Sequence, residues 1–265
     1  MTERAHALIL SGAGRYADPW HPFPETSPRL AELLEAAGFE AEIDESVDAR
    51  LGSLGDGPAP AAARPTNGGA DPDAADAAPA PDLLVANFGN PGPASDDAER
   101  AADALTRAGL LAHLAAGRPL LAVHVASTSL PAVPEWKAIL GGIWVRGTTM
   151  HPPRGEARIH VYPDRHPIVA GLADFTLHDE RYSHMRTADD LVPLADHEHD
   201  GLRHPLLWAR AYGDARVAYD ALGHDADSYD SPEHRTIVTR TARWLAGVDD
   251  ALLDGTDAVP ARAAS

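Results

Sequence analysis

The chain has 265 residues, of which 44% are hydrophobic, a composition that suits one α/β domain with a sizeable core. Its formal net charge of −18 argues against nucleic acid and anionic membrane surfaces as partners, because both would repel it. The absence of cysteine excludes disulfides, thiolate metal sites and a cysteine nucleophile.

The first third of the chain predicts a strand, a helix and a second strand. Residues 6–10 are apolar and form the first strand. Residues 28–37 have helical spacing, with Ser27 as the predicted N-cap and Gly38 as the C-cap. Residues 39–43 alternate as the second strand. From about residue 52 to residue 81 the chain is mostly Ala, Pro, Gly and Asp, which predicts a dispensable, disordered surface insertion.

Strands alternate with helices after that insertion. We predict strands at residues 82–86, 119–123, 158–162, 191–194, 206–209 and 216–219. We predict helices at residues 95–116, 135–140 and 232–246, the last with Ser231 as N-cap and Pro232 at its first position. This alternation indicates a single domain over residues 1–250, with a mostly parallel, doubly wound sheet. Residues 151–203 break the alternation and predict an antiparallel edge, and residues 251–265 predict a disordered tail.

His124 stands where the strand at residues 119–123 ends. A strand that leads directly into a helix makes a sharp turn and exposes the residue at that turn, as in a nucleophile elbow. A histidine at such a point can be a general base, a metal ligand or a proton shuttle. The alternative is a buried histidine whose ring is satisfied by a backbone carbonyl.

His224 has the best local case for a functional role. It follows a strand and Gly223, and carboxylates stand at positions 225, 227 and 230. Imidazole with carboxylates is a ligand set suited to zinc or manganese, although the spacing matches no tight metal motif. A divalent metal such as zinc is therefore left open, with His124, His151 and His224 as candidate ligands. Two prolines follow His151, so its ring is either held rigidly for function or part of a structural turn.

Other polar residues offer weaker signals. Asp18, Trp20 and His21 share one loop and look like a polyol-binding set, since aromatic faces stack on sugar rings and the other two bind hydroxyls. Trp20 alternatively packs on the core as a lid. The charged run at residues 178–182 taken alone reads as a solvated loop. Four further histidines without a clear partner are expected at the surface: His184, His197, His199 and His204.

Several ordered blocks of the sequence stand out together: SGAGRYADPWHPFPETS, LLAVHVASTS, GGIWVRGTTMHPP, HPIVAGLADFTLHDERY and HPLLWARAYGDARVAYDALGHD. Taken together, these blocks resemble the ThuA-like (trehalose utilisation) family. The resemblance implies a flavodoxin-like three-layer α/β sandwich of the class I glutamine amidotransferase-like superfamily, here without that superfamily's cysteine. It also implies a link to sugar catabolism, often alongside oxidoreductases that make 3-keto sugars.

The resemblance places family positions on particular residues of this chain. The elbow position matches His124, and the histidine after the Gly-Gly block matches His151. The Asp-Glu-x-Tyr motif, the Pro-x-x-Trp segment and the Gly-His pair after the last strand fall on Asp179, Glu180, Tyr182, Pro205, Trp208 and His224. One departure is Ala215, which stands where relatives have a turn glycine.

We therefore expect a sugar-processing lyase, hydrolase or isomerase that acts on a glycoside or keto-sugar. His124, Glu180 and His224 are the expected acid–base set. The expected substrate-binding residues are Trp20, His21, His151, Tyr182, Trp208 and Arg210. The alternative is a non-catalytic sugar-binding or regulatory module, and a glutaminase is not expected without a thiol. With no signal segment and no membrane span in the sequence, a cytoplasmic protein is expected, and homo-oligomer formation is left open.

Overall fold

The structure is a computed structural model that describes residues 4–55 and 80–247. The strands in these ranges are β1 His6–Ser11, β2 Glu40–Asp44, β3 Leu83–Asn87, β4 Leu120–Val123, β5 Gly142–Ile143, β6 Gly155–Val161, β7 Phe175–Asp179, β8 Arg186–Thr187, β9 Ala195–His199, β10 Leu202–Tyr212 and β11 Ala215–Asp220. The helices are α1 Phe23–Ala36, α2 Val47–Ser53, α3 Asp97–Ala115, α4 Trp136–Leu140 and α5 Pro232–Leu245.

Nine of the strands form one sheet in the order β2-β1-β3-β4-β11-β10-β9-β6-β7. The first five are parallel and follow the 2-1-3-4-5 order of flavodoxin-like folds. The remaining four continue the sheet with antiparallel pairing. The predicted α/β fold with its mostly parallel sheet is confirmed, and β6, β7 and β9 form the antiparallel edge predicted for residues 151–203.

The sheet buries both of its faces, which makes the fold three layers deep. Alternating residues of β1, β3 and β4 belong to two separate cores, because successive side chains of a strand point to opposite faces. One face packs against α2, α3 and α4, and the other packs against α1 and α5. In the described residues, no helix combines the length and apolarity that crossing a membrane requires.

Two local predictions were wrong. Helix α1 begins at Phe23, five residues before the predicted start, so Ser27 is not its N-cap. Ser27 is buried inside the helix and donates a hydrogen bond to Ser11 Oγ over 2.8 Å. The apolar residues 191–194 are not a strand, and β9 begins immediately after them.

Helix α2 is an element that the sequence did not predict, and Gly52 and Ser53 belong to it. It buries Val47 and Leu51 against α3. The approach is close, because a Cβ added at Gly109 of α3 would lie 1.9 Å from the Leu51 carbonyl oxygen. Leu54, also within the predicted insertion, is buried, whereas residues 56–79 of that insertion and the predicted tail at 251–265 lie outside the described residues.

This close approach predicts a destabilising Gly109→Ala substitution. In an ordinary helix interior the same change would stabilise by about 1 kcal/mol. Here the new methyl group collides with backbone, so we expect the free energy of unfolding to fall by about 1–3 kcal/mol in urea denaturation. Gly55→Ala is the matched control, since its Cβ would meet Ala112 at an ordinary 3.4 Å. A Gly109→Ala protein as stable as the wild type would contradict the α2–α3 packing.

A second prediction concerns the pH dependence of stability. His113 of α3 is fully buried, and its Nε2 donates to the Pro119 carbonyl over 3.1 Å. Burial lowers the pKa of His113 to about 4, whereas an unfolded histidine titrates near 6.5. As pH falls below about 6.5 the unfolded chain takes up this proton first, so the contribution of His113 to stability is lost progressively down to about pH 4.

Denaturation of the wild type and His113→Gln at several pH values between 7 and 4.5 tests this expectation. Gln keeps a donor for the carbonyl but does not titrate. The stability of the wild type should therefore fall faster with acid than that of the variant, by at most about 1.4 kcal/mol per pH unit. A stability difference between the two proteins that does not change with pH would show that His113 is not held neutral.

Candidate functional site

A cavity of about 1220 Å³ opens at one edge of the sheet, and residues that follow four different strands line it. Strands β1, β4 and β11 are parallel, and four antiparallel steps separate β11 from β7, so all four run in the same direction. At these carboxyl ends His21, Glu180 and His224 line the cavity, and the buried His124 contacts Glu180 and His224. Loops beyond the carboxyl ends of strands are where open α/β sheets place ligands.

His124 follows β4 directly and takes a left-handed backbone conformation, with φ of 45°. A short 3-10 turn, His124–Thr128, begins at the same residue, so the chain reverses sharply there. The Tyr219 hydroxyl donates to the His124 carbonyl over 2.7 Å and holds this backbone. A non-glycine residue with positive φ is uncommon and is often found at functional sites. The sharp turn is therefore present, but it does not expose the histidine: the His124 ring is buried, and its Nδ1 bonds to the Ala221 carbonyl as in the alternative reading.

His224 is fixed by the residue before it and by a buried carboxylate. Gly223 has φ of +102°, and an added Cβ would lie 2.4 Å from the Tyr229 hydroxyl, so only glycine fits. The backbone N–H groups of Gly223 and His224 donate to the Asp179 carboxylate over 2.8 and 3.2 Å. Asp179 therefore aims the His224 ring into the cavity.

Asp179 also holds Glu180, the next residue in the chain. Its Oδ1 accepts the Glu180 backbone N–H over 2.7 Å, and its Oδ2 accepts the Ser228 hydroxyl over 2.5 Å. Its side chain is fully buried. The charged run at residues 178–182 is therefore not a solvated loop as its composition suggested. It is the end of β7 together with a buried turn.

Two imidazole nitrogens and one carboxylate oxygen lie close together at the floor of the cavity. His124 Nε2 lies 3.4 Å from Glu180 Oε2 and 3.3 Å from His224 Nδ1. His224 Nδ1 lies 3.2 Å from the same carboxylate oxygen. His151 approaches the other oxygen, with its Nε2 3.5 Å from Glu180 Oε1. The structure thus brings together four residues that are widely separated in sequence, and two of them, His124 and His224, follow strand ends as the sequence predicted.

The fourth histidine of the floor is His21, which sequence reasoning had assigned to polyol binding. Its ring centroid lies 5.0 Å from that of His124 and 4.9 Å from that of His224. Donor atoms of His21, His124, Glu180 and His224 all lie within 4.8 Å of one another. This set could hold a metal ion, and it differs from the set considered from sequence because it contains His21 and Glu180 in place of His151.

The charge states of these groups depend on one another. Burial raises the pKa of the Glu180 carboxyl, but the imidazoles packed around it outweigh burial and hold that pKa well below its usual range. Burial lowers the pKa of His224, but the neighbouring Glu180 outweighs it, so the pKa is raised. Burial lowers the pKa of His21, which Asp18 offsets only in part. The single carboxylate of Glu180 thus lies within 3.5 Å of ring nitrogens of His124, His151 and His224.

Aromatic side chains form the walls above this floor. Trp20 stands at the rim with 73% of its surface exposed, so it is not a lid packed on the core. Trp144 also lines the cavity, and its ring lies 4.7 Å from Tyr182, whose hydroxyl donates to His124 Nε2 over 2.9 Å. Sequence reasoning did not single out Trp144, Arg146 or Arg154, which line the cavity too. The block GGIWVRG contained the first two.

Trp208 and Arg210 lie outside this cavity, so the structure gives no support to their predicted role in substrate binding. Strand β10 is antiparallel to β11, and its carboxyl end therefore points to the opposite edge of the sheet. Trp208 is buried and donates to the Leu140 carbonyl over 2.6 Å. Arg210 packs against Gly141. Both line a separate small cavity of about 180 Å³.

A second group of histidines lies on the antiparallel half of the sheet. His197 and His204 were expected at the surface, but both are buried and face each other across β9 and β10. Their ring centroids lie 5.4 Å apart, and the His184 ring lies 4.4 Å from that of His204. The pairing of β9 with β10 places the two histidines opposite each other, and the sequence around each histidine alone does not show which strands pair.

Comparisons with known proteins agree with this fold. A ThuA-like protein from Parabacteroides merdae superposes with a TM-score of 0.64 at 18% identity, covering 92% of this chain and 90% of that chain. A ThuA-like protein from Bacteroides uniformis gives a TM-score of 0.59 at 15% identity, covering 92% of this chain and 91% of that chain. A β-galactosidase from Halorubrum lacusprofundi gives 0.53 at 11% identity, covering 93% of this chain but only 31% of that chain.

The sequence comparisons settle the family. No curated protein matches the sequence significantly. The family described as trehalose utilisation, ThuA, matches residues 88–245, which is more than half of the chain and includes His124, His151, Glu180 and His224. The resemblance seen in the sequence blocks is confirmed, and the chain belongs to the ThuA family.

Proposed function

We propose that this protein is a sugar-processing enzyme, a lyase, hydrolase or isomerase that acts on a glycoside or keto-sugar in the cavity at the carboxyl edge of the sheet. One observation carries the proposal. The polar atoms of His124, Glu180 and His224 meet within 3.4 Å of one another, and Glu180 and His224 line a cavity with aromatic walls. Membership of a trehalose-utilisation family agrees with a role in sugar metabolism.

The floor groups match what such a reaction demands. Chemistry beside a sugar carbonyl requires one group that removes a proton from carbon and another that protonates an oxygen. Glu180 is an ionised acceptor that contacts three imidazoles. Tyr182 keeps its proton, because burial raises its pKa well above the usual value. The floor therefore holds an ionised carboxylate, imidazoles and a protonated phenol side by side, which are the kinds of group that relay protons in such reactions.

The walls match the shape of a sugar. Trp20 and Trp144 offer flat apolar faces on which sugar rings stack. Asp18, Asn90 and Arg146 also line the cavity and can hydrogen-bond hydroxyl groups. A volume of about 1220 Å³ is larger than an ordinary small-molecule pocket, so a disaccharide fits as readily as a monosaccharide.

Acyl transfer from glutamine is not part of this proposal. In amidotransferase-like folds with a cysteine elbow, that reaction passes through a thioester. The elbow here carries the imidazole of His124, and the chain contains no cysteine.

The test is turnover by purified full-length protein of disaccharides and their 3-keto derivatives, followed by proton NMR. We expect turnover of at least one substrate, and we expect His224→Ala and Glu180→Gln to lower kcat/KM by about 100-fold or more. His160→Ala is the matched control, because His160 lies on β6, pairs with Asp174 and does not line the cavity. Thermal melts of all variants show whether the fold is retained.

Two outcomes would overturn the proposal. Full activity in His224→Ala and Glu180→Gln would move the chemistry away from this floor. Sugar binding by the wild type with no turnover of any substrate would favour the alternative, a non-catalytic sugar-binding or regulatory module.

A further inference from the structure

We propose that His21, His124, Glu180 and His224 bind one divalent transition-metal cation, such as zinc, at the floor of the cavity. The proposed metal site adds to the proposed function, and only the chemical role of the ion depends on that function. The binding of the ion itself stands on the geometry of the four side chains.

The spacing of the donors is the first argument. His124 Nε2, His224 Nδ1 and Glu180 Oε2 form a triangle with sides of 3.2, 3.3 and 3.4 Å. A tetrahedral zinc ion holds its nitrogen and oxygen ligands at about 2.0–2.1 Å, which places neighbouring ligand atoms roughly 3.3 Å apart. The triangle already has the dimensions of one face of such a tetrahedron, so the ion needs little rearrangement of the protein.

The tautomer of His124 is the second argument. Its Nδ1 lies 2.7 Å from the Ala221 carbonyl oxygen, which can only accept a hydrogen bond. The proton is therefore on Nδ1, and the Nε2 lone pair points into the triangle. Metal-binding histidines characteristically donate their other ring N–H to a carbonyl or carboxylate in this way.

His21 supplies the third argument. It is largely buried, yet neither of its ring nitrogens has a hydrogen-bond partner of normal geometry. Its Nδ1 lies 3.0 Å from Asp18 Oδ1, which leaves Nε2 as the nitrogen free to bind an ion. Buried polar groups without partners are rare, and the capacity to bind an ion is one of their ordinary explanations. Bonds within the floor satisfy the other three side chains but not His21.

With His21, His124, Glu180 and His224 as the metal ligands, His151 and Tyr182 remain available to contact substrate. His151 contacts the outer oxygen of Glu180 and is not among the donors that cluster. When His124 Nε2 binds the ion, the Tyr182 hydroxyl loses its acceptor and is free to donate to a substrate oxygen. A cation at this point can polarise a sugar carbonyl or hydroxyl, while His151 and Tyr182 face the substrate from the walls.

Isothermal titration of zinc chloride into chelator-treated full-length protein tests the site. We expect one ion per chain with a dissociation constant of about 1 μM or tighter. His224→Ala and Glu180→Gln should weaken binding by about 100-fold or more, and His21→Ala by about 10-fold or more. Cobalt(II) added to the wild type should give the visible absorption of a tetrahedral site with nitrogen and oxygen ligands.

Two variants serve as controls in the same titration. His184→Ala removes an exposed ring from the second histidine group and should leave affinity unchanged. His151→Ala should also leave it within about threefold, because His151 is not a donor. Circular dichroism of the metal-free proteins confirms folding, and cobalt absorption of His21→Ala gives a second measurement if His224→Ala is unstable.

Three results would overturn the site. These are no binding tighter than about 100 μM, equal affinity in wild type and His224→Ala, or loss of the ion in His184→Ala. If zinc does not bind and the metal-free protein still turns over a sugar, the metal site is rejected and the proposed enzyme is kept. Tight zinc binding at these four residues without turnover of any sugar would keep the metal site and reject the enzyme.

Discussion

The buried carboxylate of Asp179 joins the end of the antiparallel half of the sheet to the loop after the parallel half. Three strands separate β7 from β11 in the sheet, yet Asp179 accepts hydrogen bonds from the backbone of Gly223 and His224 as well as that of Glu180. A carboxylate hidden from water is tolerated only when such bonds replace its hydration. One anion thereby sets the separation of Glu180 and His224, on which the geometry of the cavity floor depends.

Behind Asp179 lies a buried chain of polar groups that superficially resembles a hydrolytic triad. Ser228 Oγ lies 2.9 Å from His234 Nδ1, and His234 Nε2 lies 3.0 Å from Asp220 Oδ2. All three side chains are buried, and the Ser228 hydroxyl donates to Asp179. A nucleophile must reach a substrate, so this arrangement is structural. It connects α5 to the floor and keeps the Asp179 carboxylate in place.

Sequence patterns were enough to locate features that depend on strand ends. His124 and His224 were found because each follows an apolar strand, and the carboxyl ends of parallel strands share an edge. The expectation that Trp208 and Arg210 bind substrate gained no support, because sequence gives the existence of a strand but not its direction in the sheet. Helix α2 was missed because its short, Gly-containing sequence has little helical signal of its own and is held by packing on α3.

The two groups of histidines show why placing rings together does not by itself make a site. His197 Nε2 donates to the Tyr182 carbonyl, and His204 Nδ1 accepts the His184 backbone N–H. These bonds turn the rings of the second group towards the backbone of the antiparallel strands. His124 makes the same kind of bond through Nδ1, but its Nε2 lies beside Glu180 and His224, which line the cavity. Position along the strand decides the difference, because a histidine just beyond a strand end meets residues from other strand ends, whereas one within a strand lies against neighbouring strands.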